Sequence, residues 1–116
     1  MDIIESRVGR TSVLALSGGL DTSSAPALSA RATELCVPGI RTILIDLAQV
    51  PHVTSAGFRS FIAISKHAEQ AGIGMTLCGL KDLVHDLFEV SGLLGTFRIF
   101  PDRTAALAAI DQQGAS

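Results

Sequence analysis

Residues 45–72 read IDLAQVPHVTSAGFRSFIAISKHAEQAG. The stretch opens on the end of an apolar run, TILIDL, over 42–47. Near-continuous apolar sequence of that length suits a central strand covered on both faces. The loop AQVPHV follows, and then Phe58, Phe61, Ile62, Ile64 and Ala68 recur at helical spacing. Gly72 is the residue type that ends such a helix. Strand, loop and helix in that order predict a βα unit. Thr54 and Ser55, both good capping types, stand at the turn into the helix.

Working outward, residues 2–8 (DIIESRV) and 12–17 (SVLALS) read as two strands around a Gly9-Arg10 hairpin turn. A helix follows to about Val37. Asp21, Thr22, Ser23 and Ser24 supply cap types, Pro26 lies in its first turn, and Leu28, Ala32, Leu35 and Cys36 share a face. Pro38-Gly39 stops it. Beyond residue 72, GMTLC (74–78) reads as a buried strand, LKDLVHDLFEV (80–90) as an amphipathic helix and FRIF (97–100) as a short strand. Asp102 caps a last, Ala-rich helix over 103–111. The order ββαβαβαβα implies an α/β fold. Its sheet is mixed, with four to five strands starting in an antiparallel hairpin. One domain over 1–111 is expected, with 112–116 as a frayed tail.

Composition narrows the function. Of 116 residues, 47% are hydrophobic and 17% charged, which suits a packed core and excludes disorder. With no Trp or Tyr and five Phe, the core must be mainly aliphatic. The net charge is −2 and no Lys/Arg run is present, which argues against direct nucleic-acid binding. No apolar run approaches the ~20 residues that span a bilayer. The start, MDIIESRVGR, lacks a basic region followed by an apolar one, so a cytoplasmic location is expected. Cys36 and Cys78 lie in apolar contexts without a CxxC pair, as buried thiols do.

The 45–72 stretch also resembles the signature of STAS domains, an Asp-Leu pair, a loop, then Asp-Ser-[Ser/Thr]-Gly and an amphipathic helix. Asp46-Leu47 and Thr54-Ser55-Ala56-Gly57 occupy those positions. SGGLDTSSAPAL matches a second family segment through Gly18, Leu20, Asp21 and Leu28. GMTLCGLKDLVHDLFEVSGLLGTFRIF and DRTAALAAI match the family's last strands and helices. This chain departs from the pattern at Thr54 (Asp in the family), Ala56 (a hydroxyl residue), Phe58 (Leu) and Gly19 (Glu). The resemblance implies a STAS-like fold, with four helices packed mainly on one side of the sheet, and the role of an anti-sigma factor antagonist. It implies a partner, an anti-sigma factor that is a serine kinase of the histidine-kinase-like ATPase fold. Ser55 is implied as the phosphorylated residue, with Thr54 as the lesser candidate. Asp21, Thr54, Ser55, Ala56, Gly57 and Phe58 are implied as the partner-binding set. A weak homodimer is the oligomer it leaves room for. The alternative within the family is an accessory subunit of a signalling assembly or a lipid-transporting ABC system, without such a switch.

Elementary physics gives Ser55 two compatible roles. As a cap it is worth ~1 kcal/mol. As a phosphate acceptor it would carry about −1.5 to −2 charges at a helix start, where unpaired N–H groups favour negative charge. Gly57 permits close backbone approach, either to the sheet or to a partner. No catalytic set, metal site or cofactor site is predicted. His52, His67 and His85 are scattered, with His52 in the loop before Ser55. Asp46 ends a strand as a receiver's phosphoacceptor does, but the acidic pair and late Lys which that chemistry needs are absent.

Overall fold

The computed structural model describes residues 1–92 and 95–114. The chain runs β1 (Asp2–Val8), β2 (Thr11–Ser17), α1 (Ala25–Glu34), β3 (Thr42–Gln49), α2 (Ser55–Gln70), β4 (Gly74–Cys78), α3 (Asp82–Val90), β5 (Arg98–Phe100) and α4 (Arg103–Gly114). The sheet order is β1-β2-β3-β4-β5. β1 pairs antiparallel with β2, and the remaining pairs are parallel. The mixed sheet and the ββαβαβαβα order are those the sequence predicts.

Alternation along the strands sorts two cores. Leu14, Leu16, Ile43, Ile45, Leu47, Met75 and Leu77 face one side, where they meet Leu28 and Ala32 of α1, Phe61, Ile64 and Ala68 of α2, and Val84 and Phe88 of α3. Their neighbours in sequence, Val13, Leu44 and Cys78, face the other side and meet Ala106 of α4. Three helices thus cover one face and α4 alone lies on the second. β3 is buried on both faces because it is central, which is why it reads as an unbroken apolar run. On the edge strand β1, Glu5 pairs with Arg31 and so ties the hairpin to α1, and Arg31 also bonds Glu34 at 2.6 Å.

The ends of α1 and α4 differ most from the sequence reading; β2, β3, α3 and β5 differ by one or two residues. α1 ends at Glu34, three residues short of Val37. The Leu35 N–H is shared between the carbonyls of Arg31 and Ala32, both at 3.2 Å, so the last turn tightens before Pro38 is reached. α4 runs to Gly114, so the expected tail is helical as far as 114. Residues 115 and 116, and residues 93 and 94 within the GMTLC…FRIF segment, lie outside the described residues. Other local signals act as read. Gly72 takes φ 74°, which lets the Ile73 N–H reach back to Ala68 O at 2.8 Å and close α2. Asp102 Oδ1 accepts the Ala105 N–H at 2.8 Å at the start of α4.

Candidate functional site

The site forms where the chain leaves the carboxyl ends of β2 and β3. The two outgoing loops are zipped together by backbone. Gly18 N–H donates to Gln49 O (3.0 Å), Leu20 N–H to His52 O (3.1 Å) and Thr54 N–H to Leu20 O (2.9 Å). Leu20 and Val53 form an isolated parallel bridge. Asp21 follows Leu20 directly, and Thr54 and Ser55 follow Val53. Segments more than thirty residues apart in sequence therefore meet, and the starts of α1 and α2 are set side by side.

Asp21 organises the first loop. Its Oδ1 accepts from the Ser23 N–H (2.9 Å), the Ser23 hydroxyl (2.6 Å) and the Ser24 N–H (3.2 Å). Ser24 Oγ in turn accepts the Asp21 N–H at 2.9 Å and donates to Gly19 O at 3.0 Å. Asp21 and Ser24 thus cap each other reciprocally across three residues, a spacing visible in the sequence. The Ser23 hydroxyl, then the Ser23 and Ser24 N–H groups, hold the Asp21 carboxyl below its ordinary pKa. A carboxyl with a depressed folded-state pKa stabilises the fold above about pH 4, and that contribution is lost as pH falls through the folded value. Asp21→Asn should therefore lower stability at pH 7 and flatten its decline below pH 4. Urea unfolding at pH 7 and pH 3 checks both, and an unchanged acid slope would contradict the capping assignment.

The second loop delivers α2. Thr54 is extended (φ −88°, ψ 176°) and occupies the cap position, yet its hydroxyl makes no capping hydrogen bond and lies 3.5 Å from Leu20 O. Ser55 is the first helical residue and not the cap, which corrects the sequence expectation for both hydroxyls. The first intrahelical bond is Phe58 N–H to Thr54 O at 3.0 Å. The N–H groups of residues 55–57 precede it and have no carbonyl within the helix. Thr54 and Ser55 are exposed, Asp21, Ala56 and Phe58 are half-buried, and Gly57 is buried. Phe58 lies edge-on to Phe88, with ring centroids 4.8 Å apart.

Gly57 sets how close α2 comes. A Cβ there would lie 2.7 Å from Val53 Cγ1, 2.9 Å from Leu20 Cγ and 3.0 Å from Leu20 O. The last of these is the backbone oxygen that the Thr54 N–H uses, so it cannot shift without loosening the zipper. Gly57→Ala gains about 1 kcal/mol of helix propensity. Overpacking costs about 1–3 kcal/mol. A net loss of about 1 kcal/mol is expected on denaturant unfolding, and a stabilised variant would contradict this packing.

One contact was not legible in the sequence. His52 lies over Gly19, where a Cβ would come within 2.2 Å of its Cε1. The usable signal was the pair of facts that Gly19 replaces the family's Glu and that a His stands in the facing loop. Asp46 does not face this site. Its Oδ2 pairs with Arg103 Nε and Nη2, both at 3.0 Å, and its Oδ1 accepts the Ala48 N–H at 3.0 Å, so it anchors α4 to β3. Behind it, burial first and then the Asp46 charge push the Cys78 thiol up to about 12, which keeps it protonated and inert. His67 and His85 are exposed on helices. Among the described residues, His85, Asp86 and Glu89 bring three metal-type donors together, all exposed on α3.

A sheet opened by a hairpin, three helices on one face and an exposed Ser at the start of α2 define a STAS domain. The match to the STAS domain family covers residues 4–106, and the chain belongs to that family. Among its relatives is BtrV of Bordetella bronchiseptica, a candidate anti-sigma factor antagonist. The two are 32% identical over 97 residues, covering 84% of each chain. The anti-sigma-B factor antagonist of Staphylococcus aureus is 30% identical over 76 residues, covering 66% of this chain and 70% of its own. Among solved structures, the unphosphorylated form of the anti-sigma factor antagonist SpoIIAA superposes with a TM-score of 0.80 at 20% identity, over 99% of this chain and 98% of its own. The phosphorylated form of SpoIIAA, a Bacillus cell fate determinant, gives 0.73 at 17% identity, over 94% and 99%.

Proposed function

We propose that this chain is an anti-sigma factor antagonist. In this reading it binds and sequesters a kinase-type anti-sigma factor in the cytoplasm and is released from it by phosphorylation at Ser55. The observation that carries the reading is the exposed Ser55 at the first position of α2, beside the Asp21 turn and the half-buried Ala56 and Phe58. The hydroxyl is reachable by a kinase, and the free N–H groups of the helix start favour the charge it would gain. The same charge would sit in the middle of the contact surface, so modification and docking oppose each other. The chain then acts by docking, without catalysis of its own. The names of its relatives agree with this role. No helix among the described residues is long and apolar enough to cross a membrane.

Thr54 and Ala56, where the family has Asp and a hydroxyl residue, favour the second reading, a STAS accessory subunit with no phosphorylation step. One experiment separates the two. The chain is incubated with the anti-sigma kinase from its own genome and ATP, and its intact mass is measured. A single phosphoryl adduct that disappears in Ser55→Ala supports the switch. An unmodified chain supports the accessory subunit, and an adduct surviving in Ser55→Ala moves the site to another hydroxyl, with Thr54 first.

A further inference from the structure

The two edges of the sheet are unlike. β5 has three residues, whereas β1 has seven, Asp2–Val8, in unbroken register with β2. The outer side of β1 meets no other strand among the described residues. Edge strands are commonly blunted by Lys, by Pro, by a bulge or by shortness. β1 (DIIESRV) carries no Lys, Pro or bulge, and its charged residues, Asp2, Glu5 and Arg7, include both signs. Its alternate residues serve opposite faces. Ile3 packs on the larger core and Glu5 pairs with Arg31 of α1. Ile4, Ser6 and Val8 point the other way, where Ile4 stays 65% and Val8 50% exposed. α4, on that side, packs on β3, β4 and β5. The backbone alternates as well. The two-residue turn Gly9-Arg10 closes on Val8 and Thr11, a hydrogen-bonded pair. Val8, Ser6 and Ile4 therefore spend their N–H and C=O groups on β2, and Ile3, Glu5 and Arg7 turn theirs outward.

We propose that β1 is the pairing edge of a weak, two-fold symmetric homodimer, in which two copies meet antiparallel about Ser6 and join their five-stranded sheets. Charge sets the register. Opposite charges directly across a strand pair stabilise it, and like charges destabilise it. A two-fold axis at Ser6 sets Glu5 opposite Arg7 of the second copy, and Ile4 opposite its Val8, each pair occurring twice. An axis at Glu5 sets Glu5 against Glu5, one at Arg7 sets Arg7 against Arg7, and one at Ile4 sets Glu5 against Ile3. An axis between residues opposes outward-turned backbone groups to inward-turned ones. The Ser6 register alone joins opposite charges on one face, the exposed Ile4 and Val8 on the other, and the outward N–H and C=O groups of Glu5 and Arg7 between them. Both charged groups have capacity left. Arg7 Nε donates to Gly9 O at 3.1 Å, which leaves its two terminal amino groups for the second copy. Arg31 occupies Glu5 through one fork, and a carboxylate has about four acceptor sites. On the same face a cavity of about 300 Å³ has Glu5, Arg7, Leu35, Val37 and Ile40 in its walls. It borders the seam and suits the apolar stem of an incoming arginine. One strand pair is smaller than the ~800 Å² per partner of a standard interface, so the association is weak. Ser55 follows β3, two strands in from this edge.

The test is sedimentation of the full chain between about 10 µM and 1 mM, a range that spans the weak affinities of small interfaces. The parent chain should pass from monomer towards dimer across it. Arg7→Glu and Glu5→Lys each set like charges across the seam, and each should weaken self-association about tenfold or more. An equal mixture of the two variants restores both opposite-charge pairs and should associate within about threefold of the parent affinity. Val90→Ser, at an exposed position on α3, and Ser55→Ala should leave self-association unchanged. In amide hydrogen exchange, the N–H groups of Ile3, Glu5 and Arg7 should gain protection as concentration rises. Amide NMR spectra show whether each variant is folded. A monomer at every concentration, or a dimer untouched by both charge variants, would overturn the proposal. So would a mixture of folded variants that fails to associate. Weakening by Val90→Ser would move the contact to α3 and overturn it equally.

Discussion

Ser55→Asp is expected to bind a kinase-type anti-sigma factor at least a hundredfold more weakly than the parent chain. Ser55→Ala should bind as the parent does and resist release by kinase and ATP. The docking surface proposed around Ser55 includes the half-buried Ala56 and Phe58. A fixed carboxylate there must shed water on contact, at a cost of several kcal/mol where no opposite charge meets it. A hundredfold loss of affinity corresponds to about 2.8 kcal/mol, within that cost. Folding does not confound the result. An acidic residue in the first turn of a helix is favourable by about 0.3–1 kcal/mol. Removing the Ser55 hydroxyl forfeits no cap, because Thr54 and not Ser55 holds the cap position. Calorimetric titration of the three forms, with circular dichroism for folding, decides the matter. Equal affinities would remove the switch and leave the accessory-subunit reading.

Phe61→Ala is expected to cost about 3–5 kcal/mol of stability, the range for deleting a large buried ring. Phe61 is 0% exposed, and its ring centroid lies 5.9 Å from Phe88 and 6.5 Å from Phe97. These rings join α2 to α3 and to the residue before β5, so the cavity left behind is walled by three separate segments and closes poorly. A domain of this size has only about 5–15 kcal/mol to lose. Phe58→Ala should cost less, because Phe58 is half-buried whereas Phe61 is fully buried. Urea unfolding of both variants tests this. A Phe61→Ala loss below about 1 kcal/mol, or a larger loss for Phe58→Ala, would contradict the packing described.

These two residues also separate what local sequence can specify from what it cannot. Phe61 belongs to a helical repeat that points it inward wherever the helix is placed, so its burial was legible. So were the order of elements, the central position of β3, the α2 ending at Gly72 and the cap supplied by Asp102; Asp21 organises the turn ahead of α1, whose cap position is Ser24. Each depends on period-two or period-3.6 patterning, or on a side chain bonding its own backbone within a few residues. Family likeness singled out Ser55, and the turn chemistry around it placed it at a helix start, one position from where it was expected. The distinction between cap and first helical residue depends on the φ and ψ of Thr54, and those are imposed by its N–H bond to Leu20 O from another loop.

Whatever joins distant segments was decided by the tertiary structure. Gly57 has an unremarkable helical backbone, and its need for a missing side chain comes from Leu20 and Val53 pressing on it. Likewise, Gly19 makes room for His52 across the zipper, a relation that residues thirty-three apart cannot announce. Asp46 read as a strand-end carboxylate open to several roles until Arg103, from the last helix, took its oxygen. The sequence by itself determined the elements and the faces they bury, because those follow from interactions along the chain. The closeness of α2 to the loops and the partner of Asp46 arise from contacts between segments, which exist only once the sheet has assembled.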